Sequence, residues 1–93
     1  MSGAPPIRVH VFVEGRVQGV GFRYSTYQQA VRLGIRGWAR NLPDGRVEAV
    51  YEGPPGSVNE MLAWTKQGPE WAHVTKVDIR DESPKGERDF SIG

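Results

Sequence analysis

The feature that most constrains the fold is a change in the spacing of apolar residues across a glycine-rich segment near the start of the chain. Before that segment, residues 7–13 alternate apolar and other side chains with a period of two, which predicts a half-buried strand. After it, apolar residues recur every three or four positions between Phe22 and Leu33, which predicts an amphipathic helix that ends at Gly34. Residues 15–21 contain three glycines and fit neither period, so we expect a loop that joins the strand to the helix.

The middle of the chain is predicted to form a β-hairpin followed by a second helix. Residues 35–52 have strand character on both sides of a Leu-Pro-Asp-Gly turn at 42–45, which predicts a β-hairpin. Ser57 and Glu60 match a capping box, so we expect a second helix to begin there and to run to about Gln67.

Two more strands are predicted near the end of the chain. Val77 and Ile79 lie on one face of a strand at residues 74–80, and a short strand ends the chain at residues 90–92. The charged residues 81–88 between them are most simply a solvated loop.

The resulting order, β-α-β-β-α-β-β, predicts one α+β domain. Its first six elements match the split β-α-β sandwich of ferredoxin-like folds, with both helices on one face of a mostly antiparallel sheet and a short fifth strand. The first two strands then run parallel through a right-handed crossover, so their ends lie at the same sheet edge. We therefore expect residues 15–23 to lie near Asn41. The domain should span residues 7–93, after a flexible tail at residues 1–6.

Composition excludes several classes of protein. The chain of 93 residues has no cysteine, so it can form neither a disulfide framework nor a thiolate nucleophile. No apolar run approaches the roughly 20 residues that span a bilayer. The formal net charge of +1 is too small to favour nucleic acid by bulk electrostatics. We expect a cytoplasmic monomer with no membrane or nucleic-acid partner.

The glycine-rich segment is typical of an anion cradle. Glycine lets successive amides turn inward and approach a ligand, and the segment leads into a helix N-terminus, where free N–H groups favour phosphate. A tight strand-to-helix connection that binds no ligand is the alternative interpretation. The candidate phosphate-binding residues are Arg16, Val17, Gln18, Gly19, Val20, Gly21, Phe22 and Arg23.

Two polar residues are candidates for a catalytic role. Arg23 falls in the first helical turn, where a cation opposes the helix dipole unless an anion is bound nearby. Its planar guanidinium matches two phosphate oxygens, although an ordinary ion pair with a carboxylate is also possible. Asn41 precedes a turn, where asparagine is common for structural reasons. Its carboxamide both donates and accepts, which suits holding a water molecule.

Other catalytic signatures are missing from the sequence. His10 and His73 read as surface or packed residues, and no His, Asp or Glu cluster has metal-ligand spacing. No serine lies in a nucleophile elbow, and the loop lacks the Gly-Lys-Ser/Thr ending of a P-loop. An enzyme of this sequence would use no covalent intermediate, no metal and no other cofactor.

Two long segments, in register, resemble a known family. Residues 15–23, Gly-Arg-Val-Gln-Gly-Val-Gly-Phe-Arg, closely resemble the acylphosphatase signature, and residues 37–47 resemble the second signature of that family. The likeness continues through residues 51–53 and 89–92, so that it covers essentially residues 7–92.

The resemblance implies a hydrolase acting on acid anhydrides. In this family an acyl phosphate is hydrolysed to a carboxylate and inorganic phosphate. The arginine corresponding to Arg23 and the loop amides bind the phosphoryl group, and the asparagine corresponding to Asn41 positions the attacking water. Inorganic phosphate or sulfate should then compete with the acyl phosphate substrate.

Two other classes of function remain open. A non-catalytic anion-binding module would keep the loop without turnover. An RNA-binding domain shares the β-α-β-β-α-β order, but its sheet carries exposed aromatic residues, which the third-strand segment at residues 46–51 lacks.

Overall fold

The computed structural model describes residues 4–93, and its elements follow the predicted order. They are β1 (Ile7–Arg16), α1 (Phe22–Leu33), β2 (Arg36–Asn41), β3 (Val47–Gly53), α2 (Pro55–Gln67), β4 (His73–Glu82) and β5 (Phe90–Ile92). The predicted tail falls partly outside this range, since residues 1–3 are not among the described residues. Residues 4–6 belong to no helix or strand.

The five strands form one mixed sheet in the order β4-β1-β3-β2-β5. β3 lies antiparallel between β1 and β2, β4 is antiparallel to β1, and β5 is parallel to β2. β1 and β2 therefore run in the same direction, and their C-terminal ends lie at the same edge of the sheet. This topology confirms the predicted ferredoxin-like α+β class.

The core lies between one sheet face and both helices. Alternate residues of the two central strands are buried there, together with side chains from each helix: Val9, Val11, Val13, Val47, Ala49, Tyr51, Phe22, Ala30, Val58 and Met61. The period of two in the strands and of three to four in the helices places these residues on facing surfaces. Full burial of one such valine stabilises the fold by about 1.5–3 kcal/mol relative to exposure.

The predicted capping box of α2 is wrong. The helix begins at Pro55, two residues before Ser57, with Pro54 as the N-cap residue. Proline suits the first helical position because its φ is preset and its missing N–H would have no partner there. The Gly53–Gly56 segment, which sequence alone identifies as a chain break, therefore contains the N-cap and the first two residues of the helix.

The first strand is longer than the sequence predicts. Gly15 and Arg16, expected to lie in the loop, pair with Val74 and His73 of β4 after a register shift at Glu14/Gly15. This pairing joins distant parts of the chain, so it could not be predicted from the local glycine content. The loop itself is limited to residues 17–21.

The charged segment near the C-terminus is not a simple solvated loop. The fully buried carboxylate of Glu52 accepts hydrogen bonds from the amides of Lys85, Gly86 and Glu87 at 3.0, 2.8 and 3.1 Å. Arg8 donates to the same carboxylate at 3.1 Å. Burial alone would raise the pKa of Glu52, but these donors outweigh it and hold the pKa below its usual value.

Further ion pairs extend this network across the sheet face that no helix covers. Arg8 also donates to Glu82 at 2.8 Å and to Glu87 at 2.8 Å. The two ring nitrogens of His10 lie 2.7 Å from Glu82 and 2.6 Å from Glu48. Hydrogen bonds from Arg8 and His10 lower the pKa of Glu82 to about 2. His10 is thus a packed residue that is hydrogen-bonded to two carboxylates.

Candidate active site

The C-terminal ends of β1 and β2 converge on a small cleft. Its volume is about 180 Å³, and it is lined by Val17, Gln18, Gly19, Gly21, Phe22, Arg23, Tyr24, Asn41 and Ile92. The loop after β1 and the last residue of β2 therefore meet at one place. This is the approach of residues 15–23 to Asn41 that the split β-α-β order predicts.

The loop has the backbone conformation that the glycines suggest. Gly19 and Gly21 both have a φ of +76°, in the left-handed region that disfavours other residues. A Cβ atom built on either glycine meets no atom within 4 Å. Glycine is therefore required at positions 19 and 21 by the backbone conformation and not by steric crowding. A backbone that turns in this way can point its amides inward towards a ligand.

Helix α1 begins at the wall of the cleft. The first hydrogen bond of the helix runs from the Ser25 amide to the Gly21 carbonyl oxygen at 3.0 Å. The amides of Phe22, Arg23 and Tyr24 precede Ser25, the first donor of the helix, and so have no acceptor within it. Within the described residues, no side chain caps this end, and the first turn contains no acidic residue. The cleft thus faces the uncompensated positive end of a helix.

Arg23 is a half-buried residue of the cleft wall. Its guanidinium donates a hydrogen bond through Nη1 to the backbone carbonyl oxygen of Gly93. Among residues 4–93, no Asp or Glu carboxylate lies within 4.0 Å of this guanidinium. Arg23 is therefore in no ion pair with an Asp or Glu side chain of the described residues.

Asn41 lines the same cleft as Arg23, at the end of β2, where it pairs with Val47 of β3. The residue is exposed, and the side-chain hydrogen bonds found among residues 4–93 include none from its carboxamide. A residue needed only for the turn would bond its own backbone there. The carboxamide of Asn41 is thus available to a ligand or a water molecule in the cleft.

Two candidate residues lie away from the cleft lining. Arg16 is the exposed last residue of β1, paired with His73. Val20 is half-buried and packs against the hydrophobic core. The cleft instead includes Tyr24 and Ile92, which sequence reasoning missed. The alternation of Phe90 and Ile92 predicts a strand, but only the pairing of β5 with β2 brings Ile92 to the site.

The contacts of the Gln18 side chain were also not predicted from the sequence. The Gln18 carboxamide donates to the carbonyl oxygens of Leu42 and Arg46, at 2.8 and 3.0 Å. Sequence reasoning considered this residue only as part of the amide cradle. Its side chain instead connects the loop to the hairpin that carries Asn41.

In the described range 4–93, no group of three or more His, Cys, Asp or Glu side chains is arranged to hold a metal ion. None of the helices described there is long and apolar enough to cross a bilayer.

Comparison with known proteins gives consistent matches over most of the chain. The family model described as Acylphosphatase matches residues 9–92. An acylphosphatase of Trichormus variabilis is 59% identical over 86 residues, which cover 92% of this chain and 85% of that protein. An acylphosphatase of Thermococcus kodakarensis is 50% identical over 86 residues, covering 92% of this chain and 94% of that protein.

The solved structures agree with these matches. The crystal structure of acylphosphatase from Bacillus subtilis superposes with a TM-score of 0.91 at 36% identity, covering 94% of this chain and 98% of that one. The similarity therefore includes the sequence, the fold and nearly the full length of the relatives. The chain belongs to the acylphosphatase family.

Proposed function

We propose that this protein hydrolyses the carboxyl–phosphate bond of small acyl phosphates, releasing a carboxylate and inorganic phosphate. The single observation that carries this proposal is the meeting of the glycine loop, Arg23 and Asn41 around one cleft. Membership of the acylphosphatase family supports the same reaction.

The loop and Arg23 hold the phosphoryl group in this proposal. The amides of residues 17–22 and the guanidinium of Arg23 donate hydrogen bonds to its oxygens, and the N-terminus of α1 adds a positive potential. Phosphoryl transfer requires mainly positioning and stabilisation of charge on these oxygens. Donors already in place supply that stabilisation without reorganising during the reaction.

Asn41 positions the attacking water. Its carboxamide has a donor and an acceptor, so it can orient both the oxygen lone pair and a proton of the same water molecule. Holding the nucleophile in line with the scissile bond lowers the entropic part of the barrier.

Proton transfer in this reaction needs no catalytic acid or base from the protein. The leaving group is a carboxylate, a weak base that departs without being protonated. A phosphoryl oxygen of the substrate accepts the proton of the attacking water. The atoms balance, because the water oxygen bonds to phosphorus while the bond between phosphorus and the carboxylate oxygen breaks.

This mechanism defines the expected ligands. Inorganic phosphate and sulfate compete with the acyl phosphate for the cradle, and no metal or other cofactor takes part. We expect the protein to act as a cytoplasmic monomer, without a nucleic-acid or membrane partner.

The test is a phosphate-release assay with one aromatic and one short-chain acyl phosphate, in excess chelator. We expect turnover that chelation does not reduce and that inorganic phosphate inhibits competitively. If the folded protein binds phosphate but does not turn over either substrate, it is a non-catalytic anion-binding module. If a divalent ion is needed to restore activity, the proposed mechanism is wrong.

A further inference from the structure

The side chain of Gln18 joins the two segments that form the cleft. Its Nε2 donates one hydrogen bond to the Leu42 carbonyl oxygen at 2.8 Å and a second to the Arg46 carbonyl oxygen at 3.0 Å. A carboxamide nitrogen carries two hydrogens, so both are used. The side chain is half-buried, which limits competition from water.

The two acceptors close the turn that follows Asn41. Leu42 donates its amide to the Arg46 carbonyl oxygen at 2.8 Å, and Gly45 donates to the Leu42 carbonyl oxygen at 3.1 Å. Gln18 thus donates to the carbonyl oxygens of the two residues, Leu42 and Arg46, whose backbone hydrogen bond closes this turn. Leu42 is also the next residue after Asn41, so the backbone that Gln18 holds is directly bonded to the residue proposed to orient water.

Few polar contacts connect the loop to the turn that follows Asn41. Within residues 4–93, the two bonds from Gln18 are the only hydrogen bonds between the loop at 17–21 and residues 41–46. The ladder between β1 and β3 ends at Val13 and Val47, before the loop begins. Gln18 therefore supplies the hydrogen bonds that hold the loop against the segment carrying Asn41.

We propose that Gln18 is a positioning residue, which sets the place of Asn41 relative to the bound phosphoryl group. This inference rests on the proposed hydrolysis. Its backbone amide remains part of the cradle, while its side chain controls the other half of the site. Since a misplacement of about 1 Å can cost on the order of a hundredfold in rate, two hydrogen bonds at this junction have a direct effect on turnover.

The test compares two identical substitutions. Gln18→Met keeps the length of the side chain but removes both donors, and Gln28→Met makes the same change at an exposed position of α1. We expect Gln18→Met to lower kcat by about 10- to 100-fold, with a phosphate dissociation constant within twofold of wild type. Gln28→Met should change neither quantity.

A double-mutant cycle separates positioning from general structural damage. If Gln18 acts through Asn41, then Gln18→Met should cost less than about threefold in kcat when Asn41 is already alanine. An equal loss of kcat in both backgrounds would overturn the proposal. A loss of phosphate affinity with unchanged kcat would overturn it as well, since Gln18 would then serve only the cradle.

Two controls make every outcome decisive. Wild-type turnover is measured in the same assay, so an inactive wild type contradicts the proposed function, whereas an active wild type with an equally active Gln18→Met contradicts only the role of Gln18. If Gln18→Met lacks the wild-type circular dichroism spectrum, Gln18→Leu repeats the test, because leucine has no donor and adds no charge that would repel phosphate. Failure of both variants to fold would make Gln18 a folding residue and overturn the proposal.

Discussion

At the scale of single residues, the proposed chemistry depends on two side chains, Arg23 and Asn41, whose positions are not explained by local structure. Arg23 is a cation in the first turn of α1, where it opposes the helix dipole and has no Asp or Glu partner among residues 4–93. Asn41 lies at an exposed strand end. Neither side chain is hydrogen-bonded to another side chain of the described residues, and both positions become favourable when an anion and a water molecule fill the cleft.

The first prediction concerns Arg23. Arg23→Ala should nearly abolish turnover and weaken phosphate binding, because the guanidinium fork is lost. Without phosphate, the stability of the variant should stay within about 1 kcal/mol of wild type, because relief of the unfavourable dipole contact opposes loss of the hydrogen bond to Gly93. Arg23→Lys should recover little activity, because an ammonium group lacks the planar fork.

Phosphate-release kinetics and urea unfolding on the same preparations test these expectations for Arg23. Normal turnover by a folded Arg23→Ala protein would contradict its role.

The second prediction concerns Asn41. Asn41→Ala should reduce kcat by on the order of a hundredfold or more, because the water loses its orientation, while phosphate affinity stays nearly unchanged. Asn41→Asp should also be inactive, since a carboxylate cannot donate and repels the phosphoryl group. The measurement is kcat together with the phosphate dissociation constant, with circular dichroism as the check of folding. A lower melting temperature with near-normal kcat would instead make Asn41 a turn residue.

At the scale of elements, the strands and helices position the site through contacts that allow little substitution. Gly15 has a φ of +126°, and a Cβ atom there would collide with the carbonyl oxygen of His73 on β4. This close approach lets β1 continue to Arg16 and carry the chain to the beginning of the phosphate loop. Gly15 therefore serves the sheet, although it belongs to the motif that resembles a ligand cradle.

The third prediction tests this assignment. Gly15→Ala should destabilise the fold by about 1–3 kcal/mol, because the added methyl group meets backbone and the positive φ is strained. The control is Gly56→Ala, in the first turns of α2, where a Cβ atom meets nothing within 4 Å. That change should stabilise the fold by about 0.5–1 kcal/mol. Urea unfolding of both variants is the measurement, and equal stabilities would show that β1 tolerates a side chain at position 15.

At the scale of the whole molecule, ion pairs cover the sheet face opposite the helices. Arg8 connects strand β1 to Glu52 on β3, to Glu82 on β4 and to Glu87 in the following segment. Burial alone would lower the pKa of Arg8, but its three carboxylate partners raise it above the usual value. Arg8 therefore stays protonated over the whole pH range in which its carboxylate partners ionise.

The fourth prediction is a loss of stability in acid. Glu82 has a pKa of about 2 in the folded protein, against 4.5 when unperturbed, and the pKa values of Glu48 and Glu52 are also lowered. A carboxyl group whose pKa is lower in the folded protein than in the unfolded chain stabilises the fold at any pH above its unfolded-state pKa. That contribution is lost as the pH falls through the folded value, because the unfolded chain takes up protons first. The free energy of unfolding should therefore fall between about pH 4.5 and pH 2.

Urea unfolding across this range measures the effect. Glu82→Gln should be less stable than wild type at pH 7 and should show a weaker dependence on pH, since one of the coupled carboxylates is gone. Asp78→Asn is the matched control: Asp78 also lies on β4, but it pairs only with an exposed arginine, Arg80. An equal dependence on pH in wild type and Glu82→Gln would contradict the role of Glu82.

Much of the architecture was predictable because it depends on local periodicity. The alternation in β1 and the three-to-four spacing in α1 specify which side chains face the core, and these faces require both helices on one side of the sheet. Chain connectivity then places the end of β1 beside the end of β2. For this reason the order of elements, the ferredoxin-like class and the proximity of residues 15–23 to Asn41 all follow from the order of residues alone.

Other features depend on contacts between distant parts of the chain, and local patterns carry no information about them. The amides that surround Glu52 come from residues 33–35 positions away, and the partners of Arg8 lie 44–79 positions away. The continuation of β1 to Arg16, the place of Ile92 in the cleft and the two bonds from Gln18 likewise form only when the sheet and the hairpin are assembled. Periodicity determines which face a side chain occupies, whereas its partner on that face is determined by the three-dimensional approach of segments that the sequence separates.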